Sequence, residues 1–513
     1  MRSVAPYGLP PNATHARTTH RRAMNTLYYG DNLDILREHI KDESIDLIYL
    51  DPPFNSQKGY NLLFKTPKGY IADAQVTAFE DTWTWGQQAE QEYSDLLHQP
   101  YTQVAEMIRS MRSFLKESDL MAYLTMMANR LLHLHRVLKP TGSMYLHCDP
   151  TASHYLKIIL DTIFGAGTFR NEIVWHYYNK FQRGDIPMFA RDHDIIFFYT
   201  KSPENTHTFQ SIYEKRETPT RQLVRKWDAK TGRIVNAKDA EGHVIYREKL
   251  DRKIDDVWRI PYIVPASSEG LGYPTQKPLA LLERIINASS KPDDLVLDPF
   301  CGCGTSIHAA EKLGRRWIGI DVTNLAIDLI ERRMKKAFPN ISFEIHGTPK
   351  DLDSARALAM RDKYEFQWWA CGIVNAQPYQ GKKKGADSGT DGIIFFQDNP
   401  KGNAEKIIVS VKGGENVTRT QIADLKNTVD REKAKLGLFV TLTPPTKPMQ
   451  TEATSAGFYE SPNGRSYPKI QILTIEGLLN GTESPKYPDL ALGELTHKKA
   501  RTEKERAKQG KLI

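Results

Sequence analysis

Apolar and polar positions alternate along the chain in blocks that change period several times. Ile45-Asp46-Leu47-Ile48-Tyr49-Leu50 is a short apolar run that stops at Asp51-Pro52-Pro53. Proline cannot continue a hydrogen-bonded ladder, so this pattern predicts a buried strand ending in a loop. Leu120, Leu124, Met127, Leu131, Leu134 and Leu138 recur at helical spacing, and Lys139-Pro140-Thr141-Gly142 closes that predicted helix. Residues 143–147 and 194–199 read as two further strands. The same grammar returns later: Pro278 opens a helix over 279–288, followed by a strand at 295–297, a helix at 306–313, a strand at 317–321 and an amphipathic helix at 324–338. Strands alternating with helices predict an α/β, doubly wound sheet with largely parallel strands.

Two stretches interrupt that regularity. Residues 201–270 lose the periodicity and carry Lys215, Arg216, Arg221, Arg225, Lys226 and Arg233, with Trp227 and Trp258 interleaved, which predicts an inserted recognition segment. A polar crossing at 347–353 then separates a second, smaller α/β unit over 355–481. The resulting plan is a tail over 1–23, a main domain over 24–348, the smaller domain over 355–481 and a polar tail over 482–513.

Composition narrows the class. A chain of 513 residues exceeds one hydrophobic core, and its 40% hydrophobic content is that of a globular protein. No run of 18 apolar residues offers a membrane span. Four cysteines build no disulfide framework, so the expected location is the reducing cytoplasm. Lys and Arg exceed Asp and Glu to give a net charge of +8, which suits a polyanionic partner and equally suits a solvated surface. The first 23 residues are basic and Pro-rich with no acidic residue, and Met24 is a candidate natural start.

The strongest chemical signal is Asp298-Pro299-Phe300-Cys301-Gly302-Cys303-Gly304-Thr305, set between a predicted strand and helix. Its glycines let backbone approach a ligand closely, and the helix N-terminus beyond it supplies donors. Asp321 ends the next strand, where a carboxylate takes both hydroxyls of a ribose, so the pair predicts a nucleoside-cofactor site. Asp51-Pro52-Pro53-Phe54 is the second signal. An amino nitrogen conjugated to a base ring is a poor nucleophile. A carboxylate and a backbone carbonyl accepting its hydrogens stabilise the charge that develops on attack. The prolines stiffen that loop, and Phe54 offers a face for stacking.

Together with Tyr29-Gly30-Asp31, His147-Cys148-Asp149-Pro150 and Tyr273-Pro274-Thr275-Gln276-Lys277-Pro278, these motifs make residues 25–338 resemble the β-class of amino DNA methyltransferases. In that class the catalytic motif precedes the cofactor loop. The resemblance implies a Rossmann-like, circularly permuted S-adenosylmethionine-dependent methyltransferase sheet acting on double-stranded DNA. It places Asp298, Phe300, Gly302, Gly304 and Thr305 along the S-adenosylmethionine pocket, Asp321 at the ribose and Asp31 at the adenine of the cofactor. Thr275 and Lys277 fall near the methionine carboxylate, and Asp51, Pro52, Pro53 and Phe54 around a flipped target base. The implied product is N6-methyladenine, with cytosine N4 as the alternative. Phe54 replaces a commoner Tyr and Cys303 a commoner Ser.

Residues 364–475 resemble Mrr-like restriction endonuclease domains of the PD-(D/E)XK type. The resemblance implies a Mg²⁺ ion held by Asp391, with Lys412 steadying developing charge and Glu365 and Ser410 completing the site. Ser410 stands where an acid or Gln is usual, so a domain that only binds DNA is the competing reading. Cys301 and Cys303 fit a packed loop better than a zinc site, because no second pair has zinc spacing. His147 and Cys148 read as buried structural residues, and Trp83 and Trp85 as either a cover for the site or a satellite cluster.

Overall fold

The computed structural model describes residues 24–53, 83–180, 187–264, 267–273, 275–379, 389–399, 403–462, 464–488, 490, 496–497 and 503, and the backbone course of strands Lys58–Lys65 and Ile71–Asp81. A nine-stranded sheet organises the larger domain, in the order Val257–Arg259, Phe169–His176, His193–Thr200, Leu138–Cys148, Ile45–Leu50, Leu295–Asp298, Arg316–Asp321, Asn25–Tyr29 and Phe343–His346. Every pairing is parallel except those of His193–Thr200, which runs antiparallel to both neighbours.

Both faces of the sheet are covered, as parallel strands require. Along Ile45–Leu50, Ile48 and Leu50 point into one core while Leu47 and Tyr49 point into the other, and all four are buried. The first core packs helices Asn32–Glu38, Asp119–Val137 and Ser153–Phe164 on one face. The second packs Leu279–Ser289, Thr305–Lys312 and Asn324–Ala337 on the other. The apolar stripe predicted over 120–138 becomes helix Asp119–Val137, started by Ser118, whose side chain accepts from Met121 N.

Lys139-Pro140-Thr141-Gly142 does not simply separate helix from strand. The strand begins at Leu138, opposite Ile45, and the ladder resumes at Ser143 opposite Leu47, so these four residues bulge out of an already started strand. Pro140 has no N–H to give a ladder, which accounts for the bulge.

The expected irregular insert is also more ordered than its sequence suggests. Strands Tyr213–Leu223 and Tyr246–Lys253 pair antiparallel, as do Arg225–Asp228 and Arg233–Asn236. These hairpins lack an apolar face, so their sequence carries no period-2 signal. The two insert tryptophans part company: Trp227 is 65% exposed, whereas Trp258 is buried at the edge of the main sheet and belongs to its second core.

The smaller domain is built on a five-stranded sheet, Gln377–Pro378, Gly392–Phe396, Glu405–Lys412, Leu436–Thr441 and Ile470–Thr474. Helices Leu352–Arg361 and Lys363–Ile373 cover one face, and Arg419–Arg431 and Lys447–Ser455 the other. No described helix is long and apolar enough to cross a membrane.

Candidate functional site

Four adjacent strands of the main sheet, Ile45–Leu50, Leu295–Asp298, Arg316–Asp321 and Asn25–Tyr29, release their loops at the same edge. Leu297 pairs with Ile48, so the Asp51 and Asp298 loops leave neighbouring strands despite their distance in sequence. Ligands of open parallel sheets bind at this edge. A cavity of about 200 Å³ lies there, lined by Gly30, Asp31, Asp51, Pro52, Pro53, Thr275, Lys277, Asp298, Phe300, Gly302, Thr305 and Asp321 among others. Most of the residues singled out in the larger domain for the cofactor loop and the Asp51 motif therefore meet in one place. Phe54 lies outside the described residues.

The glycine loop is tied down from several sides. Asp298 Oδ1 accepts from Phe300 N at 3.0 Å and its Oδ2 from Ser306 Oγ. Asp321 Oδ2 accepts from Gly302 N at 2.9 Å, and its Oδ1 takes both Thr323 N and Thr323 Oγ1 at 3.0 Å. Burial pushes Asp298 up to about 7, against the pull of the Ser306 hydroxyl and Phe300 N–H. Burial likewise raises Asp321 to about 6, against its donors from Thr323 and Gly302. A buried and a half-buried carboxylate at the ends of neighbouring strands beside a cavity are acceptors suited to a ligand that brings its own donors, such as ribose hydroxyls or an ammonium.

Gly304 departs from its expected place. It is not among the residues lining the cavity. It caps helix Thr305–Lys312 with φ +73°, and a Cβ there would stand 2.8 Å from Ile330 Cγ1. Glycine is demanded here by the left-handed turn and by helix packing rather than by ligand approach. Gly302 does line the cavity, at φ +50°, with its Cβ position 3.3 Å from the Tyr273 ring.

Asp51 stands at the mouth of the loop after its strand. Its Oδ2 is ion-paired with Lys277 Nζ, whereas its Oδ1 is buried and accepts no hydrogen bond among the described residues. Lys277 thus faces the catalytic-motif carboxylate as well as lining the cavity. Behind Asp51, buried His147 lies with Nδ1 3.1 Å from Tyr49 Oη and Nε2 3.1 Å from Asp194 Oδ2. His147 and Cys148 are both buried, as expected of structural residues. Trp83 lines the cavity, and Trp85 packs beside Tyr93 against the first core, with the Arg112 guanidinium 4.5 Å from its ring centroid, so neither forms a satellite cluster.

One residue of the site went unread in the sequence. Arg130, on helix Asp119–Val137, lines the cavity with its side chain only 4% exposed. Its Nη2 donates to Asp31 Oδ1 and Oδ2 at 3.0 and 3.2 Å, its Nε to Asn32 Oδ1 at 2.6 Å and its Nη1 to Glu92 Oε2 at 3.2 Å. Asn32 Nδ2 in turn donates to Pro299 O at 2.8 Å, joining the Asp31 loop to the glycine loop. The available signal was an arginine inside the apolar stripe, flanked by Met127 and Leu131, which has to find acids elsewhere.

In the smaller domain Asp391 and Lys412 do meet. Asp391 Oδ2 accepts from Val411 N at 2.7 Å and from Ser410 Oγ at 3.4 Å, with Lys412 Nζ at 3.7 Å. Glu365 is not with them: it turns to the larger domain, bonded to Asn324 and Tyr29. The described residues contain no group of three or more His, Cys, Asp or Glu able to hold a metal. With no second acid beside it among the described residues, and already engaged by a backbone N–H, a hydroxyl and an ammonium, the Asp391 carboxylate does not fit a Mg²⁺ site there. A cavity of about 340 Å³ nearby is lined by Lys363, Gln367, Lys412, Asn416 and Gln421, with no carboxylate.

Comparison with known proteins adds an independent line. Residues 45–332 match the N6_N4_Mtase family, described as DNA methylase, and residues 372–480 match a family described as NACHT-associated inactive Restriction Endonuclease 1. The Type II methyltransferase M.HinfI of Haemophilus influenzae is 26% identical over 62% of this chain and 70% of its own length. The DNA adenine methyltransferase YhdJ of Escherichia coli K12 is 26% identical over 61% of this chain and 83% of its own. Among solved structures, the M1.HpyAVI–SAM complex is 17% identical, covering 60% of this chain and 98% of that one with a TM-score of 0.34. The PvuII cytosine-N4-specific DNA methyltransferase is 16% identical, covering 62% and 88% with a TM-score of 0.35.

Proposed function

Because the chain belongs to the N6/N4 DNA methylase family, we propose that it methylates N6 of adenine at a specific site in double-stranded DNA, using S-adenosylmethionine. The observation that carries this reading is Oδ1 of Asp51, a cavity-lining residue: the atom is buried, has His147 Nδ1 at 3.9 Å and accepts no hydrogen bond among the described residues, which leaves it able to accept from an exocyclic amino group. Lys277 occupies the other oxygen, so Oδ1 is the acceptor left for the amino group. A backbone carbonyl of the Asp51–Pro53 turn takes the second amino hydrogen, and the prolines keep both acceptors aimed.

S-adenosylmethionine supplies an electrophilic methyl group when bound. The residues present fit it: Asp321 offers a half-buried carboxylate to the ribose hydroxyls, the Asp31–Arg130 pair borders the nucleoside end, and Thr275 and Lys277 border the amino-acid end. The likeness to a relative named as an adenine methyltransferase supports adenine over cytosine. Relatives named Type II methyltransferases support a place in a restriction–modification pair, in the cytoplasm.

The paired hairpins of the insert are the proposed DNA-reading surface, with Lys215, Arg221, Arg225, Lys226 and Arg233 exposed around Trp227. Neutralising Arg221, Arg225 and Lys226 together lowers the slope of log affinity against log salt by about one unit for each phosphate no longer neutralised. A titration series across salt concentrations reads this directly, and an unchanged slope removes the hairpins from the DNA backbone.

A second reading concerns the smaller domain, and the cation- and amide-lined cavity beside Lys412 favours it: this domain holds a DNA backbone without cutting it. Long-read methylation profiling of DNA from a host expressing the protein tests the first reading, and plasmid incubation with the purified protein and Mg²⁺ tests the second. N6-methyladenine at one recurring sequence is expected, with unmethylated plasmid staying supercoiled. Methylation at cytosine N4 overturns the adenine assignment, and Mg²⁺-dependent nicking lost in Asp391→Ala overturns the non-cleaving one.

A further inference from the structure

We propose that Glu365, a residue of the smaller domain, is a positioning residue for the cofactor pocket of the larger one. The inference rests on the proposed function, in which this pocket takes S-adenosylmethionine.

Glu365 lies in the first turn of helix Lys363–Ile373, whose N-cap Asp362 accepts from Tyr364 N and Glu365 N. From there its Oε2 reaches out of its own domain and accepts from Asn324 N at 3.1 Å, Asn324 Nδ2 at 3.0 Å and Tyr29 Oη at 3.4 Å. Both partners sit immediately next to cavity-lining loops. Asn324 is the first residue of helix Asn324–Ala337 and directly follows Asp321-Val322-Thr323. Tyr29 directly precedes Gly30-Asp31, and Gly30 N donates to Asp321 O at 2.9 Å. One carboxylate thus ties together, from the outside, the two loops that carry Asp31 and Asp321.

The tie is reinforced by its neighbours. Arg361 Nη2 donates to Tyr29 Oη at 3.1 Å, and its guanidinium lies 5.9 Å from the centre of the Tyr29 ring. Trp368, one turn along from Glu365, packs against the cluster of Tyr273, Cys303 and Leu325, and Tyr273 is the ring that closes over Gly302. Gly372 brings the same helix close to Asp328, at 3.0 Å from the position its Cβ would take. The first-turn N–H groups of a helix have no partner within the helix, so a carboxylate there serves both as acceptor and as favourable charge for the dipole. Here that carboxylate comes from another domain. The helix it steadies follows directly on Thr323, whose N and Oγ1 both donate to Asp321.

Removing the carboxylate frees both loops without touching any group on the cofactor's path, so binding suffers and the chemical step does not. In the full-length protein, Glu365→Ala raises the Kd for S-adenosylhomocysteine, measured by calorimetry, by roughly tenfold. The KM for S-adenosylmethionine rises in parallel, while kcat at saturation stays within about twofold. Glu365→Gln, whose amide oxygen still accepts from Asn324 N, recovers most of the affinity. Should Glu365→Ala fail to fold, Arg361→Met takes its place: it keeps the carboxylate, loosens Tyr29 and weakens binding by about threefold. Unchanged affinity in the folded variant, or a fall in kcat at saturation as large as the fall in affinity, overturns the positioning role. A wild-type protein that binds neither S-adenosylmethionine nor S-adenosylhomocysteine overturns instead the pocket assignment beneath it.

Discussion

Asp51→Ala abolishes methyl transfer, by about three orders of magnitude or more, while the affinity for S-adenosylhomocysteine stays within about twofold of the wild type. The split follows from the geometry. Asp51 Oδ1 is the buried acceptor that takes no hydrogen bond among the described residues, so without it the amino group loses its main source of charge stabilisation. Asp298 and Asp321, on separate strands, hold the glycine-loop side of the cavity through bonds that do not involve Asp51, and the one cofactor-side group the change touches, Lys277, keeps its charge. Lys277 loses its ion-pair partner in the variant, and the double change Asp51→Ala with Lys277→Met is therefore equally inactive but closer to wild type in stability. Transfer of radiolabelled methyl groups to DNA, set beside calorimetry, checks both halves. Residual transfer within tenfold of wild type would sink the catalytic assignment.

Arg130→Ala costs roughly 3 kcal/mol of stability, the low end for breaking a buried ion pair because only one of its two acid partners is buried. The guanidinium is buried and binds Asp31, Glu92 and Asn32 at once, so its removal strands the buried Glu92 carboxylate, while Asp31, whose side chain is 39% exposed, falls back on water. A domain whose total stability is about 5–15 kcal/mol loses a large share of it in that step. Arg130→Ala also detaches Asn32 from its arginine, and through it the Pro299 carbonyl, so cofactor affinity falls as well. Urea unfolding followed by tryptophan fluorescence gives the stability change, with Glu92→Gln as a milder comparison. A loss below about 1 kcal/mol would mean that water reaches Glu92 as well as Asp31 once the arginine is gone.

Much of the larger domain was legible because its chemistry sits where its periodicity changes. Strands Ile45–Leu50, Leu295–Asp298 and Arg316–Asp321 are short apolar runs bounded by proline, glycine or acid, and the acid that closes each of them is itself part of the cavity. The Asp51 and Asp298 loops, far apart in sequence, are made neighbours by the Leu297–Ile48 pairing. The antiparallel direction of His193–Thr200 was not legible, since a strand buried on both faces reads the same in either direction. Nor were the hairpins of the insert, whose exposed strands carry charge on both faces.

The residues misplaced or missed share one cause. Trp258 was grouped with Trp227 by composition, yet Val257–Arg259 joins the sheet edge beside Phe169–His176 and draws its ring into the core. Glu365 was placed with Asp391 by resemblance, yet the turn of helix Lys363–Ile373 sends it to Asn324 and Tyr29. Arg130 looked like an interruption of an apolar stripe until Asp31 and Glu92 arrived from other elements. Strand ends, glycine turns and the cofactor loop follow from backbone sterics and burial over a few neighbouring residues, and a linear chain carries that information openly. Which acid meets which arginine, and which domain steadies which loop, depends on segments brought together across tens to hundreds of residues. Such pairings become visible with the fold, because a buried charge finds its partner in space and leaves no period in the sequence.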